Sequence, residues 1–467
     1  MPSNITDANR VAFRETDEAG NPTATYVFSP RSKTSPARVD KIEPSPSISS
    51  WSTKPLISSL SDIFLPSGYP QSDSLQAFCS SIAGLLSSRA VLQGVGVGNA
   101  NASPTSALLL HILQDISGRL ATILFAHRVG TALEPECKTY RLAADVFNDI
   151  AMILDCLSPG VPAGPMRVTI LSTAGVLRAL CGVAGGSSKA SLSAHFARSG
   201  NLAELNAKDS SQETIISLFG MLVGSVVISH VTNFTTTWLI LLTLLALHLS
   251  TNYFAVRAVQ MTSLNRQRAN ITFSTLFSSD EHLNSYLTSD QSEATATNTK
   301  NPTILTPEQV SKQEHIFHRD GALQWTQPSS SRTHHLGSAQ IGVSMSTFLH
   351  ESSTHFEALV SLFTDEEYIL HLSPSTPVSC HKWNAVILLK RGCSVPSQLK
   401  AWAHALLAAR ILSLQDRPAE ALPSIQQSLR LLTAGSRFEG YLVGLRGAGW
   451  NLDIAALETR GGRRIHS

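Results

Sequence analysis

The spacing of apolar positions divides the chain into four stretches. Residues 1–55 are dominated by Ser, Pro and Thr, with "SPRSKTSPARVDKIEPSPSISS" as the clearest run. They carry too little apolar surface to offset the entropy of ordering and read as a Ser/Pro-rich disordered tail. Across residues 56–277, long apolar runs recur at helical rather than alternating spacing, which predicts a helical domain. Residues 278–312 turn polar again, with "TSDQSEATATNTKNPT" lacking any apolar period, and read as a linker. Residues 313–467 combine the strand-like runs "QIGVSMSTF", "EYILHLS" and "NAVILLKRG" with helical "PSQLKAWAHALLAARILSLQ" and "PAEALPSIQQSLRLLTAG", which predicts a small α+β domain.

Two stretches inside the helical domain bear on the membrane. Thr214 to Val231 is 18 residues without a formal charge, and Thr235 to Val256 is 22 more. Each is about long enough to cross roughly 30 Å of hydrocarbon as a helix, so together they predict a membrane hairpin. Ser210 and Glu213 have the S-x-x-E spacing of a capping box, which places the start of the first helix near Ser210. Trp238 and Tyr253 stand near opposite ends of the second helix, as interfacial anchors do. Lys208 precedes the pair, Arg257, Arg266 and Arg268 follow it, and the connection from Val231 to Thr236 is uncharged. The positive-inside rule then directs both outer ends, and with them the α+β domain, to the cytoplasm or its organellar equivalent. The competing reading is a hairpin buried at the centre of a large soluble helical domain. The expected fold is mainly α: a polytopic membrane helical bundle followed by a small α+β C-terminal domain, with the lipid bilayer as partner.

Polar residues recur in register within this apolar background. "SPTSALLLHILQDISGRLATILFAHRVGTAL" carries His111, Asp115 and Arg119 at i,i+4 steps, so the three share one helix face. "CKTYRLAADVFNDIAMILDCL" repeats the device with Lys138, Arg141, Asp145 and Asp149, Asn148 standing beside them. Ionisable groups in lipid are costly and normally point into a bundle or a wet cavity, so the two stripes are candidates for one buried network. Amphipathic helices lying on the membrane surface would show a similar stripe.

The charge content fits that setting. Lys and Arg total 36 and Asp and Glu 34, so only 15% of residues are charged while 43% are hydrophobic. A net charge of +2 gives no footprint for a nucleic-acid partner. The six cysteines form no CxxC pair and no tight Cys/His spacing, so no metal site or disulfide framework is signalled. "GVGVGNANASPTS" and "GVAGGSSKASLS" place glycines and hydroxyls at apparent helix starts, where free amides and Lys189 are candidates to hold an anion. The second run is not a P-loop, because Ser187 and Ser188 separate Gly186 from Lys189. There is no GxSxG elbow and no HExxH; His334 and His335 fall in a Ser-rich stretch that reads as a surface loop. Asn4, Asn101, Asn233 and Asn270 head sequons read as coincidental. No catalytic residue, cofactor or metal ligand is expected, and the chain does not read as an enzyme.

Several runs resemble a known family: "FLPSGYP", "DSLQAFCSSIAGLLSSRAVLQGVGVGNANASPTSALLL", "GRLATILFAHRVGTALEPECKTYRLAADVFNDIAM", "GVAGGSSKASLSAHFARSGNLAELNAKDSSQET" and "RAVQMTSLNRQRANI". They are similar to the root UVB sensitive family, over about residues 63–271. "LTPEQVSKQEHIF", "QLKAWAHALLAARIL" and "FEGYLVGLRGAGWNLD" extend a weaker likeness into the C-terminal domain. Between Pro70 and Asp73 only Gln71 and Ser72 stand where the family has a longer stretch containing tryptophan. The resemblance implies membrane association, a role in the UV-B response and vitamin B6 homeostasis, and association with a paralogue or a second copy; it implies no catalytic residues. It matches the polar positions Asp115, Arg119, Glu134, Glu136, Lys138, Arg141, Asp145, Asn148, Asp149, Lys189, Lys208, Asp209 and Glu213. The leading expectation is a non-enzymatic integral membrane protein acting through partner binding. The alternative is a transporter or carrier of a small anionic metabolite such as a B6 vitamer phosphate, with Arg119, Arg141 and Lys189 as counter-charges. An enzyme using pyridoxal phosphate would need a Schiff-base lysine, for which Lys189 is the one candidate.

Overall fold

The computed structural model describes residues 11–16, 22–29, 38–42, 72–97, 103–197, 201–287, 302–327, 332–352, 355–375, 382–415 and 421–466. Inside the stretch expected to be a disordered tail, β1 (Val11–Thr16), β2 (Pro22–Ser29) and β3 (Arg38–Ile42) pair as an antiparallel sheet in that order. Phe13 stands opposite Tyr26, and Val27 opposite Asp40. The physical reason is local: "TYVF" and its neighbours are β-branched and aromatic, a strand composition that the surrounding Ser and Pro dilute. Residues 43–71, including the shortened Pro70–Gln71 region, lie outside the described residues, as do 98–102, 288–301, Asn4 and Cys380.

Six long helices follow: α1 (Ser72–Gly94), α2 (Pro104–Val129), α3 (Cys137–Leu157), α4 (Pro165–Phe196), α5 (Leu202–His230) and α6 (Phe234–Ala258). Proline opens α2 and α4, where its missing N–H costs nothing. Asn233 caps α6 by accepting the Thr235 amide at 3.0 Å. Helix α4 packs along both α2 and α3, and α1 packs along α6 and against α3. Small residues set the closest approaches. A Cβ on Gly118 would stand 3.5 Å from the Gly175 carbonyl, and one on Gly220 would stand 2.7 Å from Ser81 Cβ and 3.0 Å from the Phe78 carbonyl. Gly220 and Gly224 therefore form a small-xxx-small face that seats α5 on α1. Arg89 donates to the carbonyls of Ile228 (3.1 Å) and Val231 (2.6 Å), satisfying orphan groups at the end of α5.

The expected helical hairpin is present as α5 and α6, joined at Val231–Asn233, but two start points differ. Helix α5 begins at Leu202, so Ser210 and Glu213 lie within it and do not cap it. The upstream residues Leu202, Ala203, Glu204, Leu205 and Ala207 favour helix, and Glu204 pairs with Lys208 at 2.6 Å, so the helix runs straight through the serines. The run Gly182–Ser193 sits in the second half of α4 rather than at a helix start; there Gly185 lets α4 approach Ala144 of α3. Among the described residues five helices, α1, α2, α4, α5 and α6, are long and apolar enough to cross a membrane. Much of their apolar surface stays uncovered: Leu109 is 61% exposed, Phe219 63% and Leu239 67%.

The C-terminal region is built on a sheet in the order β4-β5-β7-β6, of β4 (Ala322–Thr326), β5 (Thr333–Ile341), β6 (Tyr368–Pro374) and β7 (Trp383–Lys390). The β5–β7 pair is parallel and the others antiparallel, and the short β8 (Arg464–Ile465) joins β7 at Leu389. The sheet packs with α7 (Arg266–Ser279), α8 (Glu281–Leu287), α9 (Pro307–Ser311), α10 (Met345–Ser352), α11 (Phe356–Leu362), α12 (Val395–Ser413), α13 (Ala421–Thr433) and α14 (Arg437–Gly447). "EYILHLS" and "NAVILLKRG" are β6 and β7 as expected, whereas "QIGVSMSTF" divides between the end of β5 and α10. His334 and His335 lie in β5, not in a loop, because "THHLGSAQI" pairs across to β4 and β7.

Helix α7 moves the expected boundary. Every residue from Arg266 to Phe277 is buried, and Phe273 and Phe277 stack on Phe438 and Trp325 in the core of the α+β domain. The helical domain expected to end at 277 thus gives its last helix to the C-terminal domain. The end of the expected linker is also built in, since Ile304 and Leu305 pack on the same core and Thr306 caps α9 with Gln309.

Candidate functional site

The two polar stripes have separate fates. On α2, Arg119 Nε donates to Asp115 Oδ2 at 2.8 Å, the two side chains being 76% and 53% exposed, and His111 is exposed one turn away. On α3 the stripe turns inward, as Asp145 and Asp149 are 6% exposed and Arg141 and Asn148 half-buried. The expected single network from both stripes does not form. Its partners come instead from α1 and α6, because α2 meets α4 through its small residues, with Gln114 and Gly118 against Gly175.

Asp145 Oδ2 accepts the side-chain amides of Gln76 (2.5 Å) on α1 and Asn252 on α6. His248 on α6 places Nδ1 2.9 Å from Asp149 Oδ1 and Nε2 4.0 Å from Asp145 Oδ2. The charge of Arg141 also acts on Asp145. Further along α3, the buried Asp155 accepts from Ser87 Oγ (2.7 Å) on α1 and from Arg178 on α4. Sequence reasoning missed Gln76, His248, Asn252, Asp155 and Arg178. The available signal was a histidine and an asparagine one turn apart in "ALHLSTNYF", uncharged by count yet costly in an apolar helix.

Lys138 leaves the α3 stripe for a second cluster, where the bundle meets the α+β domain. Its Nζ donates to Glu314 Oε2 at 2.6 Å, and Arg268 Nη1 donates to Glu314 Oε1 at 2.9 Å. Those cations hold the Glu314 carboxyl below the usual range despite its burial. Glu136, beside them, receives the Asn265 amide at 3.1 Å and stands 3.7 Å from His318. Burial pushes its carboxyl up to about 7 against the pull of Arg268, while burial lowers His318. Two neighbouring carboxyls are thereby driven apart, the charged one by paired cations and the other by burial that outweighs the pull of Arg268. Arg266 completes the junction, donating to the Leu457 carbonyl (2.6 Å) and to Asp320 (2.7 Å).

The remaining candidates are engaged elsewhere. Lys189 pairs with Glu213 at 2.7 Å in a half-exposed setting, so the counter-charges Arg119 and Lys189 each already hold a carboxylate. Asn270 is buried, accepting from Trp402 Nε1 (2.9 Å) and donating to the Ala322 carbonyl (2.7 Å), and Asn233 is the α6 cap.

A family model described as "Vitamin B6 photo-protection and homoeostasis domain" matches residues 50–280. The chain is 30% identical over 365 residues to protein root UVB sensitive 3 of Arabidopsis thaliana, covering 75% of this chain and 74% of that one. The chain belongs to the root UVB sensitive family. It is also 41% identical over 228 residues to RUS family member 1 of Dictyostelium discoideum, 46% of this chain and 43% of that protein. The match thus spans less than half of that relative's length. No solved structure matches. The residues matched by the family model run from before α1 through α7, so they include the inward α3 stripe and the buried helix that keys into the α+β domain.

Proposed function

We propose that this member of the root UVB sensitive family is a non-enzymatic, polytopic integral membrane protein that serves vitamin B6 homeostasis and the UV-B response by binding a second copy of itself through α2. The observation that carries the reading is the face of α2. Leu108, Leu109, Ile112, Leu113, Ile116 and Leu120 are all exposed, and the Asp115–Arg119 pair stands among them halfway along a helix long enough to span the bilayer. The apolar residues fit lipid, but an ion pair at that depth is costly unless another helix covers it. Asp115 and Arg119 lie one turn apart, so a two-fold axis sets each acid diagonally against the other copy's base, a self-complementary arrangement. The family's domain description supports the vitamin B6 role, and the arginines after α6 support a cytoplasmic α+β domain.

Two measurements test it. Alkaline carbonate extraction should retain the full chain in membranes; release of the full chain overturns the membrane reading. Light scattering of the detergent-solubilised protein should give a dimer that Asp115→Leu with Arg119→Leu converts to monomer, and an unchanged mass overturns the α2 interface.

A further inference from the structure

His248 stands between two carboxylates of α3 and is itself 2% exposed. Its Nδ1 faces Asp149 and its Nε2 faces Asp145. A neutral imidazole has one N–H and serves one of these acceptors, whereas the imidazolium has two and serves both. The carboxylates are not equivalent. Burial raises the Asp145 carboxyl, and the two amide N–H groups it receives favour its anion against that burial. Asp149 has neither oxygen in an aligned hydrogen bond, and His248 Nδ1 is likewise close but unaligned.

We propose that Asp145, Asp149 and His248 form a proton-binding site in the interior of the bundle, its proton carried between His248 Nδ1 and Asp149 Oδ1. The inference deepens the membrane reading, on which its consequence for function rests. With the proton present, Arg141 and His248 balance Asp145 and Asp149, and the site is neutral. Without it, one negative charge is left buried where compensation is required. Transfer within the site is balanced: the Nδ1–H bond breaks, an Oδ1–H bond forms, and the imidazolium–carboxylate pair becomes a neutral imidazole and a carboxylic acid. Departure of the proton toward water leaves the negative state, so each proton released has to be replaced.

The ligand is a proton rather than a metal ion because the two amides turn hydrogens, not lone pairs, toward Asp145 Oδ2. Among the described residues no three His, Cys, Asp or Glu side chains are grouped for a metal. The groups facing the site from the packed helices are Gln76 on α1, Arg141 on α3, Asn252 on α6 and the Cys181 thiol on α4.

The test is nitrogen NMR of the full chain, labelled with ¹⁵N-histidine, in phosphatidylcholine nanodiscs at about pH 7.5, where exposed imidazoles have lost their second proton. One ring with both nitrogens protonated is expected, lost in His248→Gln. Asp149→Asn keeps the ring and the side-chain shape, so it reads the site even where His248→Gln fails to fold; the doubly protonated signal should disappear in it too. A spectrum without that signal, or one that survives in both variants, overturns the site. Carbonate extraction reports membrane insertion independently, so absence of the signal from the unsubstituted chain with retained insertion rejects the proton site alone.

Discussion

The stripes on α2 and α3 have the same spacing and nearly the same chemistry, but one is an exposed ion pair and the other a buried network. What separates them is the rest of each helix. On α2 large apolar residues flank the charges on both sides, and the narrow face of Gln114 and Gly118 makes the close helix contact. On α3 the apolar residues Leu142 and Met152 are buried on the same side as the acids, so packing carries the charges inward. A polar stripe marks a costly face, and the neighbouring residues decide whether this chain or another one covers it.

The sharpest way to break that contrast is Asp145→Leu. It strands the amides of Gln76 and Asn252 and leaves His248 and Arg141 short of a counter-charge, so a loss of about 3–5 kcal/mol is expected in the detergent-solubilised protein. Thermal unfolding measures it, and a cost under about 1 kcal/mol would remove the network's structural role. Next in size is Glu136→Gln at the junction. Because the folded carboxyl is raised to about 7, the native state binds the extra proton, and its stability falls as pH rises from the ordinary carboxyl range through about 7. The amide removes that loss, so the variant should exceed the wild type by on the order of 2 kcal/mol near pH 8 and match it near pH 4. Unfolding midpoints at the two pH values decide this, and parallel curves would mean that Glu136 is not the titrating group. Gly220→Ala drives a Cβ toward Ser81 and the Phe78 carbonyl and should cost about 1–2 kcal/mol, again by thermal midpoint. The smallest effect belongs to Arg119→Leu, which should leave the stability of the single chain within about 0.5 kcal/mol while weakening dimerisation. A large loss in the monomer would put α2 on the same footing as α3.

Much of the architecture was legible because it rests on periodicity. The α5–α6 hairpin, the α3 stripe and strands β6 and β7 are each specified by residues within about one element's length. What escaped is specified over long separations. Apolar spacing groups "RQRANITFSTLFSS" with the helical domain, yet α7 is buried in the α+β core because Asn270 meets Ala322 and Trp402, and Arg266 meets Asp320 and Leu457, all far along the chain. The site was half legible for the same reason. Asp145 and Asp149 announce themselves by spacing, but their answering groups on α1 and α6 are neutral amides and one imidazole, and no count of charges finds them. In α5 a valid capping pattern at Ser210 was outweighed by eight helix-compatible residues before it.

Only seven residues, Val259 to Asn265, connect α6 of the bundle to α7 in the heart of the α+β domain. That joint has no slack. The Asn451 amide donates to the Thr262 carbonyl at 3.0 Å, Arg268 Nε donates to the Ser263 carbonyl at 2.7 Å, and Asn265 reaches back to Glu136 and Pro135 at the foot of α3. A crank pinned on both sides transmits torque instead of absorbing it. A tilt of α6 within the bundle is therefore delivered to the sheet as a rotation, and force applied to the α+β domain returns along the same shaft to the helix that carries His248.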